Sequence, residues 1–210
     1  MPESSGTVTP STIIFDLGGV LIDWNPRYLY RKLISDSEKL EAFLKDVVSP
    51  EWNSSMDAGR PFSEAVETLS RQHPEHKDLI NAYHHRWPEM LGGPIGETVE
   101  ILKALVQNKN YRIIGLSNWS AETFQHARAR FDFLKLFETI LVSGEEKLIK
   151  PDPKFYRLLD SRLNVDFAKA VFIDDVQKNV DAAQSLGLRS ILFKSPDQLC
   201  ADLKSLGVQI

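Results

Sequence analysis

The chain has 210 residues, 42% of them hydrophobic and 26% charged, which excludes a disordered or fibrous polypeptide and allows one ordinary domain with a smaller one inserted. A formal net charge of -4 argues against a nucleic-acid partner, and the single cysteine, Cys200, excludes an internal disulfide framework and fits a reducing cytoplasm. No apolar run reaches the roughly 18 residues of a membrane span, and the polar residues 1–10 lack the basic start and apolar core of a signal peptide.

Residues 12–17 open the pattern with a β-branched apolar run that gives way to glycines, which reads as a buried strand. More than ninety residues separate this run from the next strand, far beyond the length of a one-helix crossover. The chain leaves at Asp23, Trp24, Asn25 and Pro26, and helical spacings follow over residues 28–34, 37–47, 62–71 and 77–87, with no strand predicted. Gly92, Gly93 and Pro94 mark its return.

From there strands and helices alternate. A helix over 95–107, apolar at Val99, Leu102, Leu105 and Val106, precedes a strand over 111–116. A helix over 120–130, capped by Ser120, precedes a strand over 138–142. Residues 153–163, with Phe155, Leu158 and Leu159 on one stripe, precede a strand over 170–173. A last helix over 179–186, closed by Gly187, precedes a strand over 189–193. The series predicts an α/β fold: a three-layer, Rossmann-like parallel sheet made of residues 1–22 and 93–210, with residues 23–92 inserted as a small helical cap.

Ligands of an open parallel sheet bind beyond the carboxyl ends of its strands, so the polar residues found there are the first candidates. They are Asp16, then Ser117 and Asn118, then Lys150 after a loop, then Asp174 and Asp175. Each taken alone is an ordinary cap or turn residue. Four such signals in order, around an insertion of cap size, point to one site.

In these segments the chain resembles the haloacid dehalogenase-like superfamily, over nearly its whole length from Ile13 to Phe193. Phe15-Asp16-Leu17-Gly18-Gly19-Val20 resembles the family's first motif and Leu116-Ser117-Asn118 its second. Lys150-Pro151-Asp152-Pro153 resembles the third and Phe172-Ile173-Asp174-Asp175 the fourth. The helical insertion after motif one is similar to the cap of the family's first class.

The resemblance implies a magnesium-dependent hydrolase of small phosphate monoesters in which Asp16 is the nucleophile and forms an aspartyl-phosphate. It implies Asp16, the Gly18 carbonyl and Asp175 as ligands of Mg2+, with Asp174 acting directly or through water. Lys150 would bridge Asp16 and a phosphate oxygen. Ser117, the Asn118 backbone, Gly18 and Gly19 would cradle the phosphate.

One position departs from the family's phosphatases, which carry a second aspartate, the general acid, where this chain has Gly18. Asp23 or a residue of the cap could supply the acid. The same gap occurs in 2-haloacid dehalogenases, the rival reading, but these metal-free enzymes gain nothing from the Asp174–Asp175 pair. A subgroup of sugar-phosphate phosphatases shows the same glycine beside a double aspartate and has the closest pattern. A third reading is a weakened scaffold that binds a phosphorylated ligand.

In the cap, Met56-Asp57-Ala58-Gly59-Arg60 resembles the family's specificity loop, with Arg60 a candidate contact to substrate. Trp24, Trp52 and Trp87 are read as cap core, and His73, His76, His84 and His85 lack the spacing of a zinc site. The expected partner is a small phosphorylated molecule, and the expected assembly a monomer or homodimer.

Overall fold

The computed structural model describes residues 9–210, so most of the stretch read as no signal peptide lies outside the described residues. In chain order, β1 (Thr12–Phe15) leads into β2 (Ile22–Trp24) and then into α1 (Arg27–Tyr30), α2 (Ser37–Asp46), α3 (Pro50–Asp57), α4 (Phe62–Gln72) and α5 (Lys77–His85). The chain returns through β3 (Leu91–Pro94) to α6 (Gly96–Asn108), β4 (Arg112–Ser117), α7 (Ala121–Arg130), β5 (Thr139–Val142) and the one-turn α8 (Ser143–Glu146). It closes with α9 (Pro153–Leu163), β6 (Ala170–Asp174), α10 (Gln177–Ser185), β7 (Ser190–Leu192) and α11 (Pro196–Ser205).

Five strands form one parallel sheet in the order β5-β4-β1-β6-β7, the α/β Rossmann-like fold that the alternation predicts. β1 lies at its centre, and Ile13, Ile14 and Phe15 have no exposed surface because helices cover both faces. The side chains alternate as strand geometry demands. Ile13 and Phe15 join a core shared with Leu102 and Leu105 of α6, Phe124 of α7 and Leu199 of α11. Ile14 turns to the opposite face and packs with Phe155 and Leu159 of α9 and Ala183 of α10.

The insertion departs from expectation in one respect, because β2 and β3 pair as an antiparallel ribbon at its two ends where no strand was predicted. The strands are too short for periodicity to reveal. Gly92 is needed there for close approach: a Cβ at this position would stand 2.2 Å from Asp23 Oδ2, which accepts a hydrogen bond from the Tyr28 hydroxyl at 2.5 Å. Besides the one-turn α8, two longer helices went unpredicted, α3 and α11. Both begin with Ser-Pro, the serine hydroxyl accepting from the N–H three residues on (Ser49 from Trp52, Ser195 from Gln198, each 3.2 Å) and the proline filling the first helical position.

The order of the sheet fixes where a ligand can bind. After β1 the chain builds outward through β4 and β5 and then crosses back to β6 on the other side of β1, so the direction of winding reverses at β1. Parallel register places Phe15 level with Gly115 and with Ile173, and the next residues out, Asp16 and Asp174, therefore emerge side by side.

Candidate active site

The Asp16 carboxylate is fixed from two sides. Its Oδ1 accepts from the Leu17 N–H at 2.7 Å, and its Oδ2 lies 3.0 Å from Lys150 Nζ. Lys150 is a buried lysine whose side chain has no exposed surface, and its ammonium also meets Asp174 Oδ2 at 2.7 Å and stands 5.3 Å over the Phe172 ring. Burial works against the charge on Lys150, but the Asp16 and Asp174 carboxylates outweigh it and raise its pKa.

Asp174 is the anchor of the group. Its Oδ1 accepts from the Val176 N–H at 2.8 Å, and the Asn179 amide reaches both of its oxygens, at 3.0 and 3.1 Å. With Lys150 on Oδ2 as well, Asp174 is committed to holding the lysine, while Asp16 and Asp175 are the carboxylates that line the open cavity.

Asn118 holds the loop that carries the lysine. Its side chain accepts from the Lys150 N–H at 2.8 Å and donates to the Lys150 carbonyl at 3.0 Å, a two-point clamp between the end of β4 and a residue 32 positions on. Ser117 is buried at the end of β4. Gly18 and Gly19 line the cavity beside Asp175, and Gly19 has φ +73, with a Cβ there falling 2.2 Å from Asp175 Oδ2. Only glycine fits both the backbone and the space.

Oxygens of Asp16, Asp174 and Asp175 all lie within 4.8 Å of one another, facing the single ammonium of Lys150. Three carboxylates against one lysine leave an excess of negative charge. Burial raises the pKa of Asp16, Lys150 pulls it down, and Asp174 and Asp175 push it up again. Burial, then Asp174, raises that of Asp175. An all-oxygen donor set that resists its own ionisation in this way fits a hard divalent cation such as magnesium.

The cavity, about 250 Å³, runs from Asp16, Gly18 and Asp175 to the inserted helices, where Asn53 and Asp57 line it together with Trp24, Trp87, Trp119 and Val176. Trp24 and Trp87, read as cap core, thus also wall the cavity, whereas Trp52 packs on Tyr83 at 4.9 Å between ring centres. Trp119 escaped the sequence reading, although it directly follows Ser117 and Asn118. Among the predicted residues the structure brings Asp16, Gly18, Gly19, Asn118, Lys150, Asp174 and Asp175 together, with Ser117 buried next to Asn118 at the end of β4 and outside the cavity lining. It holds Arg60 apart: the guanidinium, just ahead of α4, is taken by Glu64 at 3.0 Å and by the Thr68 hydroxyl at 3.1 Å, both on α4, outside the cavity lining. Asp23 is likewise diverted, toward Tyr28 and Gly92.

A buried strand-end carboxylate beside a lysine and further acidic residues thus stands at the reversal point of a parallel sheet, where ligands of α/β folds bind. The family model of the haloacid dehalogenase-like hydrolases matches residues 10–187, and the chain belongs to that family. It is 26% identical over 202 residues to a sesquiterpene phosphatase from Aspergillus oryzae, covering 92% of this chain and 94% of the relative. To a phosphorylated carbohydrates phosphatase from Thermotoga maritima it is 28% identical over 189 residues, covering 85% and 82%. It is also 28% identical over 200 residues, 92% of the chain, to a drimenol cyclase from Aspergillus calidoustus, of which it spans only 36%. Among solved structures, a HAD family enzyme from Bacteroides thetaiotaomicron in complex with magnesium and inorganic phosphate superposes with a TM-score of 0.65 at 22% identity, over 89% of this chain and 95% of that one. No helix of the described residues is long and apolar enough to cross a membrane.

Proposed function

We propose that the chain is a magnesium-dependent phosphatase of small phosphate monoesters, sugar phosphates among them, acting in the cytoplasm with Asp16 as its nucleophile. The observation that carries this reading is the setting of Asp16, a carboxylate aimed into the cavity, held by Lys150 and flanked by a second cavity-lining carboxylate, Asp175. An Asp16 oxygen attacks phosphorus while the alcohol departs, and water then attacks the aspartyl-phosphate and frees phosphate. Lys150 offsets the charge of Asp16 and of a phosphate oxygen, and the Ser117 hydroxyl with the Asn118 N–H cradles the rest, Gly18 and Gly19 leaving room for close approach. Asp16, Asp175 and the Gly18 carbonyl would hold magnesium, with Asp174 behind them; when bound, the cation screens the repulsion between an anionic nucleophile and an anionic ester.

Residues 23–92 act as the cap, excluding bulk water from the site. A volume of about 250 Å³ with tryptophan walls suits a small leaving group with apolar surface. Both phosphatase relatives support phosphate-ester chemistry, and the paired carboxylates of motif four argue against a metal-free haloacid enzyme, which has no cation to screen them from its anionic substrate. The test is a panel of phosphate esters and 2-haloacids, each with and without magnesium, on the wild type and Asp16→Asn. Phosphate release that requires magnesium and is lost in Asp16→Asn is expected. Halide release from 2-chloropropionate that survives a chelator would refute the proposal, as would ligand-induced thermal stabilisation without turnover of any ester.

A further inference from the structure

Protonation of the leaving oxygen has no evident donor on the motif-one loop, because Gly18 stands where the family's phosphatases place an acid and Asp23 is turned away onto Tyr28. The cavity contains a carboxyl that the steps described above do not use. Asp57, the last residue of α3, lines the same space as Asp16 and Gly18 from the inserted segment.

Its position is fixed by contacts to both halves of the molecule. One carboxyl oxygen accepts from the Asn53 amide at 2.9 Å, and Asn53 in turn accepts from the Tyr83 hydroxyl at 2.7 Å. The Asp57 carbonyl accepts from the Ser143 hydroxyl at 2.6 Å, and Ser143 Oγ accepts from the Trp119 N–H at 2.9 Å, one residue beyond Asn118. The carboxyl is therefore referenced to the phosphate-binding end of β4 as well as to the cap. We propose that Asp57 is the general acid of this enzyme, donating a proton to the leaving-group oxygen in the role that Gly18 cannot fill. This rests on the phosphatase reading.

The steps balance. As an Asp16 oxygen bonds to phosphorus, the phosphorus–alkoxy bond breaks and the Asp57 proton passes to the departing oxygen, giving a neutral alcohol. Asp57, now a carboxylate, takes a proton from the incoming water as its oxygen bonds to phosphorus and the bond to Asp16 breaks. Inorganic phosphate leaves and the acid is restored.

The surroundings suit the role. Burial pushes the Asp57 carboxyl up to about 7, and neither the Asn53 amide nor the Ser120 N–H, both of which favour the anion, brings it back to the ordinary range. The charged and titratable groups around it are Tyr83 on α5, Asp16 and Asp175 across the cavity, Lys147 packed against Gly59, and Arg60 held by Glu64. No cation pairs with Asp57 among the described residues.

The experiment compares two esters in one preparation of Asp57→Asn: para-nitrophenyl phosphate, whose leaving group departs without protonation, and a simple alkyl phosphate, whose leaving group needs a proton. Compared as kcat/KM, which reports the steps up to departure of the alcohol and not the later attack of water on the common aspartyl-phosphate, loss of a positioned acid lowers the alkyl value by about 10²-fold to 10⁴-fold and the aryl value by less than about 10-fold. The ratio is independent of how much of the variant folds. Adding Gly18→Asp to Asp57→Asn restores the alkyl rate, since a Cβ at Gly18 meets nothing within 4 Å. In the wild type the alkyl rate alone falls as pH rises past about 7. Equal losses of kcat/KM on both esters, or an alkyl kcat/KM without this alkaline fall, overturn the assignment. A wild type that hydrolyses neither ester refutes the phosphatase reading itself.

Discussion

Replacing Lys150 by methionine keeps most of the side chain's volume and removes only its charge. The ammonium stands 3.0 Å from Asp16 and 2.7 Å from Asp174 with no exposed surface, so both carboxylates lose a partner that water does not replace. At an effective dielectric constant near 20, each contact is worth about 5–6 kcal/mol of attraction, but burial of the ammonium opposes it. Breaking such a buried arrangement from one side leaves a net cost of about 3–5 kcal/mol. For a chain of 210 residues, 1 kcal/mol shifts the unfolding midpoint by about 2–4 °C, so a fall of roughly 6–20 °C is expected in chelator. Thermal unfolding followed by circular dichroism measures it. Magnesium should then raise the midpoint of Lys150→Met more than that of the wild type, because the carboxylates have lost their built-in cation. A midpoint within about 2 °C of wild type, or a magnesium response no larger, would show that Lys150 is not the counter-ion of this group.

Gly19→Ala should abolish phosphatase activity and weaken magnesium binding by calorimetry, because φ is +73 and the added Cβ would displace Asp175. Asn118→Ala removes both hydrogen bonds to the Lys150 backbone and should lower kcat by about 10-fold to 100-fold with a stability loss of about 1–3 kcal/mol in urea unfolding. Without metal, the contribution of Asp57 to stability should fall as pH rises from the ordinary aspartate value of 3.8 to about 7, since this group binds its proton more tightly in the folded than in the unfolded state throughout that window. Asp57→Asn should therefore gain on the wild type in thermal midpoint across this range, and an unchanged gap would contradict the raised pKa.

Most of the fold was legible because its strands are short apolar runs followed by polar turns, and parallel order places the residue after each run at one end of the sheet. Asp16 and Asp174 are neighbours for that reason, and their motifs could be read along the chain. The β2–β3 ribbon could not, since strands of three and four residues carry no period and Gly92 and Gly93 read as a turn. The Ser49-Pro50 and Ser195-Pro196 starts of α3 and α11 were written in the sequence and passed over. Arg60 carried a local warning as well, with Glu64 four residues on, placed in the first turn of α4 to capture it. Asp57 and Trp119 face the cavity through packing between the inserted helices and the sheet, which no local pattern records.

The central claim is that Asp16 itself takes the phosphoryl group. Rapid acid quench during turnover of para-nitrophenyl phosphate with magnesium, followed by peptide mass spectrometry, tests it most directly. The account predicts one added phosphoryl group on the peptide containing Asp16, absent when the metal is chelated. Phosphate release at full rate with that peptide unmodified, or with the group on another residue, would contradict it.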